Sequence, residues 1–127
     1  GAAVRLCAHD SGLFRGLWTF PRLPPSQEQT LAAGAGSRMR LLGALSPRTH
    51  TYTRFRERLL PRAYAARVVP RAAENLDGCR GEWVALSALG RQPMPSAHRR
   101  IAEELLARLE AGELRAPHAP EPTTRAR

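Results

Sequence analysis

Ser11-Gly12-Leu13-Phe14-Arg15-Gly16-Leu17-Trp18-Thr19-Phe20-Pro21 carries the strongest local signal in the chain. Two glycines bracket a dense apolar and aromatic cluster, and Pro21, Pro24 and Pro25 close it. Glycine frees the backbone and proline ends ladder pairing, so the stretch reads as a loop entering a short strand. Large rings bounded by such residues commonly anchor small sheets, which makes Trp18, Phe20 and, much later, Trp83 candidate core aromatics. Phe14 and Arg15 lie at the loop tip, where they can also approach a ligand. Upstream, Ala2 to Ala8 is apolar, with Val4 and Leu6 on alternate positions, until Asp10-Ser11-Gly12 breaks it. That segment reads as a strand followed by a turn.

Downstream, Ser26 to Ala33 carries an N-cap candidate followed by helix formers and ends at Gly34, which predicts a short helix. From Arg38 to Leu45, Met39, Leu41, Gly43 and Leu45 alternate with Arg38 and Arg40, the pattern of a half-buried strand. Thr49 to Leu59 is rich in β-branched and aromatic residues. After a turn near Thr53 it sets Phe55, Glu57 and Leu59 opposite Arg54, Arg56 and Arg58. Arg62 to Val69, bounded by Pro61 and Pro70, reads as its continuation or antiparallel partner. Pro70 to Gly81 is a loop and Glu82 to Ala85 one more strand. The strongest helix runs from Ala97 to Ala111, where Ala97, Ile101, Ala102, Leu105, Leu106 and Leu109 make one apolar stripe, Ser96 is the N-cap and Gly112 the stop. Arg99 with Glu103, and Arg100 with Glu104, stand at i,i+4. His98 reads as a surface residue, and His9 and His118 carry no signal. The order of elements is that of an α+β sandwich and not of a βαβ winding. Residues 1–112 form one domain and 113–127, with no periodicity, a disordered tail.

At 127 residues the chain is long enough for one packed core, and 43% hydrophobic with 24% charged residues excludes a wholly disordered polymer. Its formal charge is +9, carried by 20 arginines and no lysine. A GC-rich genome explains arginine over lysine but not the excess of cations, so a polyanion is the natural partner. Cys7 and Cys79 are too few for a disulfide scaffold and read as small apolar residues; a zinc site on Cys7-x-His9 lacks a defined fourth ligand. No run approaches the ~18 apolar residues of a membrane span. The densest charge lies between positions 48 and 71, where Arg48, Arg54, Arg56, Arg58, Arg62, Arg67 and Arg71 face one acid, Glu57, for a local +6. On its own such a run is usually a solvated strand face.

The opening stretch resembles the SGLxxGLWxFP segment of Nudix-fold domains, notably the C-terminal domain of MutY-type adenine DNA glycosylases. His50-Thr51-Tyr52-Thr53-Arg54-Phe55 is similar to that domain's H-x-F-[ST]-H loop. Glu82-Trp83-Val84-Ala85-Leu86, followed by Pro93-Met94-Pro95-Ser96-Ala97-His98-Arg99, resembles its closing segment. The three matches keep the family order and span roughly residues 2 to 110. The resemblance implies a Nudix-like α+β fold with a small mixed or antiparallel sheet packed between two helices. It also implies a task in base excision repair, recognition of 8-oxoguanine paired with adenine so that a separate catalytic domain can excise the adenine. By position, Tyr52 matches the loop's aromatic residue and Thr53 the hydroxyl that reads the oxidised base. Arg54 departs from the family's histidine.

That chemistry can be argued from the residues as well. In 8-oxoguanine N7 becomes a donor and C8 carries a carbonyl acceptor, an edge that one hydroxyl can both accept from and donate to. Tyr52 offers a ring that can wedge at a base step. Arg54, with Arg48, Arg56 and Arg58, offers phosphate contacts. The rival, an active Nudix hydrolase, needs the box G-x5-E-x7-R-E-U-x-E-E-x-G-U to hold Mg²⁺. After Gly16 the corresponding region has only Glu28, and the near-match at Arg99 to Glu104 has Arg100 in place of its first glutamate. A third reading is a generic interaction module on the same scaffold. The expectation is therefore a chain that is no enzyme alone and binds no cofactor. It is expected to be the recognition half of a glycosylase whose missing N-terminal domain supplies the catalytic residues and, often, an iron-sulfur cluster. Its partners would be that domain and double-stranded DNA carrying 8-oxoguanine:A, with no membrane. Its location would be the bacterial cytoplasm at the nucleoid, or the nucleus or mitochondrion of a eukaryote.

Overall fold

The computed structural model describes residues 2–22, 39–54, 56–66 and 80–114. The strands are β1 (Ala3–Ala8), β2 (Trp18–Thr19), β3 (Met39–Ala44), β4 (Arg48–Thr51), β5 (Arg56–Leu59), β6 (Arg62–Ala66) and β7 (Arg80–Ala85). A 3-10 helix (Leu86–Arg91) and one long helix, α1 (Ser96–Glu110), follow. The predicted helix at Ser26 to Ala33 and most of the predicted loop from Pro70 to Gly81 lie outside the described residues. The strands form three antiparallel ladders, ordered β2-β1-β7, β3-β6 and β4-β5. The α+β class read from the sequence is what the chain adopts.

The opening stretch folds as a tight loop. His9 N–H donates to Leu17 O (3.2 Å), Gly16 N–H donates back to His9 O (2.8 Å), and Gly16 sits at φ 80°, a left-handed value that glycine reaches without Cβ strain. The loop delivers Trp18 and Thr19 to β1, where Cys7 faces Thr19 and Ala8 faces Trp18. On its other edge β1 pairs along its whole length with β7, from Ala3 opposite Ala85 to Ala8 opposite Arg80. Leu6, at the centre of β1, enters a core with Leu45, Leu89, Ile101, Ala102, Leu105 and Leu114, against which Trp18, Phe20, Val84 and Leu86 pack. Full burial of each such large aliphatic side chain is worth about 1.5–3 kcal/mol. Helix α1 presents the predicted stripe to this core.

Several expectations change. The alternation read from Arg38 to Leu45 breaks because Leu42 is an extra residue, opposed to nothing, between the pairs Leu41–Tyr64 and Gly43–Ala63. This bulge shifts the side-chain phase by one, so Leu41 is exposed and Leu42 packs on the core. Of the two readings of the segment from Arg62, the continuation is the one adopted: β6 carries β5 onward in the same antiparallel hairpin, with Leu45 N–H to Pro61 O (3.0 Å) bridging the β4-β5 and β3-β6 pairings. Ser96 is the first residue of α1, and the capping position falls to Pro95, which makes no side-chain cap bond. Glu104 is held by Arg48, Arg108 and Ser46, and Arg99 donates to the carbonyls of Leu89 and Gln92. Gly112 does stop the helix. However, Leu114 beyond it is 4% exposed, so the boundary drawn at Gly112 falls short of a core residue. Trp83 is 46% exposed on β7, with the Arg5 guanidinium 5.5 Å from its ring, and is no core aromatic. Cys7 is disulfide-bonded and not a free apolar residue.

Candidate functional site

The β4-β5 hairpin carries the residues singled out from the sequence. Its register sets Arg48 opposite Leu59, Thr49 opposite Arg58, His50 opposite Glu57 and Thr51 opposite Arg56. Strand side chains alternate between faces, so the eight residues split into two sets. Arg48, His50, Glu57 and Leu59 are half-buried, whereas Thr49, Thr51, Arg56 and Arg58 are exposed. The outer set is two hydroxyls and two guanidiniums with no carboxylate among them. At the bend, Thr53 and Arg54 are exposed. A hydroxyl and a guanidinium at an exposed tip, backed by that outer face, can hydrogen-bond a base edge and pair with phosphate oxygens.

The inner face is a polar and aromatic knot. Tyr52 is half-buried; its hydroxyl donates to Glu57 Oε1 (2.6 Å) and accepts from Arg22 Nη1 (3.4 Å), which also donates to Glu57 Oε1 (2.9 Å). Burial first, then the bond and charge of Glu57, push the Tyr52 phenol up to about 12 against the opposing pull of Arg22. The Tyr52 ring stacks on His50 at 4.3 Å between centroids and 18° between planes. Phe14 from the opening loop stands 5.9 Å from Tyr52, 6.2 Å from His50 and 5.5 Å from His9. Arg22 lies 5.2 Å from the Phe14 centroid, a cation over a ring face.

His98 closes this knot from α1. It is 1% exposed, where the sequence predicted a surface residue. Its Nδ1 accepts from Phe20 N–H (3.1 Å), which leaves the proton on Nε2, a buried atom with no hydrogen-bond partner among the described residues. Burial, reinforced by Arg22, His50 and His9 nearby, lowers its pKa from 6.5 to about 4. His9 Nε2 shares a hydrogen bond with Thr19 Oγ1 (2.8 Å), and its neighbour two residues back, Cys7, is disulfide-bonded.

The six residues chosen from the sequence therefore separate. Thr53 and Arg54 share the tip, Arg56 and Arg58 the outer face, and Tyr52 turns inward. Arg48 also points inward, bonding Glu104 Oε1 of α1 (3.3 Å), and belongs to the scaffold. Burial alone would raise the Glu104 carboxyl, but bonds from Ser46 with Arg108 and Arg48 hold it below its usual range. Arg62 is exposed on β6, outside the hairpin, and Arg67 and Arg71 fall outside the described residues. Period-2 alternation groups Thr49 with Thr51, and the register of the hairpin then sets them on the face of Arg56 and Arg58. Arg22, Phe14 and His98 come from distant segments, and only the tertiary fold brings them here.

The NUDIX domain family matches residues 9–104, which takes in the opening loop, the whole hairpin and the first half of α1. Among curated proteins no sequence matches the chain. With 96 of its 127 residues inside that match, and the loop, ladders and closing helix in place, the chain belongs to the NUDIX domain family.

Proposed function

We propose that this chain is a non-catalytic, DNA-binding Nudix-type domain that recognises 8-oxoguanine paired with adenine as part of an adenine DNA glycosylase. The observation that carries the reading is the hairpin. An exposed Thr53-Arg54 tip continues into an outer face of Thr49, Thr51, Arg56 and Arg58 that holds no acid. Hydroxyl and guanidinium groups are the common protein partners of phosphate oxygens, and a net charge of +9 favours a polyanion at long range. Thr53 is the group that reads the lesion edge. Arg56 and Arg58 hold the backbone, and Arg54 pairs with a phosphate or stacks on a base. Hydrolysis of a nucleotide is disfavoured by the sequence, where the region of the Nudix box after Gly16 offers Glu28 alone. The adenine-excising domain, its iron-sulfur cluster and the lesion-bearing duplex are the partners this reading requires.

The test is fluorescence anisotropy with matched duplexes carrying 8-oxoguanine:A or G:A at two salt concentrations. Tighter binding to the lesion that survives the higher salt is expected, and Thr53→Ala is expected to reduce that preference. Equal binding that fades with salt on both duplexes would leave a basic module that follows charge alone.

A further inference from the structure

We infer that Glu57, braced by Arg22, is the positioning group of the β4-β5 hairpin: it holds Tyr52 folded back, so that Thr53 and Arg54, and not the tyrosine ring, meet the ligand. The inference rests on the lesion-reading role proposed above and reassigns one of its residues. Glu57 is the only acid between positions 48 and 71, and its sequence neighbours Arg56 and Arg58 are both cationic. A carboxylate there could simply neutralise those neighbours. Strand alternation sends it to the opposite face, where it accepts from the Tyr52 hydroxyl at 2.6 Å and from Arg22 Nη1 at 2.9 Å.

Three further contacts give the arrangement a direction. The Tyr52 ring is already stacked on His50 and lies beside Phe14, so one of its faces and its hydroxyl are committed to the domain. Arg22 reaches the hairpin from the segment just after β2 and spans the Phe14 ring, which couples the hairpin to the opening loop. Thr53 and Arg54, the next residues along, are exposed on the bend that this anchor terminates. To wedge Tyr52 into a base step would cost its short bond to a carboxylate, one of the stronger kinds of hydrogen bond, and leave Glu57 with Arg22 as its one side-chain partner among the described residues. Without the anchor the bend is a four-residue connection in a two-stranded ladder, which by itself fixes the tip poorly.

The experiment uses the whole chain, the 8-oxoguanine:A and G:A duplexes, and the variants Glu57→Ala and Tyr52→Phe. The expected result is that both variants lower the ratio of lesion to undamaged affinity, by at least about threefold, as the loss of a charge-assisted hydrogen bond allows. Amide hydrogen exchange without DNA is expected to speed up at residues 52–54 in both variants, while β1, β7 and α1 keep their protection. If the ring were the inserted group, Tyr52→Phe would be silent and Glu57→Ala would free the ring and raise the preference. Either outcome overturns the inference. A uniform rise in exchange along the chain would also overturn it, by making the contact a general support of the fold. A wild-type chain with no lesion preference defeats the lesion-reading role itself, whereas a preference untouched by both variants defeats only the role of Glu57.

Discussion

His98 shows how much one side chain can depend on where the rest of the chain goes. In the sequence it is a polar residue at a helix start, between Ala97 and Arg99, and nothing local predicts burial. In the fold it accepts from Phe20 N–H and is walled by Phe14 and Phe20. The neutral ring is required, because a proton on Nδ1 would meet the Phe20 N–H head on. Since its folded pKa lies below the unfolded 6.5, its contribution to stability is complete above that pH and is lost as pH falls through about 4. A shift from 6.5 to about 4 corresponds to a loss on the order of 3 kcal/mol. Urea unfolding of the wild type between pH 7.5 and 4.5 should show a steep decline. His98→Gln, which can still accept from Phe20 N–H but does not titrate, should flatten it; an unchanged slope would assign the titration to another group. Thr53 and Arg54 were legible at this scale because exposure at a bend follows from a local pattern. Tyr52 reads locally as a ring free to wedge, since of its two partners Glu57 is five residues away but Arg22 is thirty.

Among the elements, α1 was the most legible, because a 3.6-residue stripe over 15 residues leaves little choice of period. Its end was legible as well. Gly112 takes φ 77°, its N–H donates to Leu109 O (3.1 Å), and Glu113 N–H reaches back to Arg108 O (2.9 Å), closing the helix in a Schellman motif. What the local pattern missed is the residue after it: Leu114 turns into the core, and its Cδ2 lies 2.9 Å from where a Cβ on Gly43 would be. Gly112→Ala meets no neighbour within 4 Å, so its cost should be purely conformational, about 1 kcal/mol. Leu114→Ala should cost about 2–4 kcal/mol. Thermal melts of the two variants check both values, and a silent Leu114→Ala would return the domain boundary to Gly112. The strands were less legible, and the reason lies in β3. One bulged residue, Leu42, inverts the phase of a period-2 pattern, and no local signal marks where a bulge falls.

For the whole molecule, composition indicated the sign of the field but not its geography. The charge of +9 is spread over arginines with different duties. Arg48 and Arg108 serve Glu104, Arg22 serves Glu57, Arg80 bonds Asp10 and Glu82, and Arg56 and Arg58 face outward. Binding measured against salt separates these classes. Arg56→Ala and Arg58→Ala should each lower the slope of log affinity on log salt by about 0.9, on damaged and undamaged duplexes alike. Arg48→Ala should leave the slope near its wild-type value and lower thermal stability instead. A reduced slope for Arg48→Ala would put that residue back on the binding face. The pairing of the hairpin has a different consequence. Ala44 faces Arg62, Leu45 N–H donates to Pro61 O (3.0 Å) and Arg48 faces Leu59, so the β4-β5 pair is the outer end of the β3-β6 hairpin, and a slip of its register would be passed on to β3 and β6. The four-residue bend between Thr51 and Arg56 is exchangeable without that cost. Its ligand preference is open to rewriting by grafting a foreign turn there, provided that Glu57 and Arg48 keep their inward partners Arg22 and Glu104.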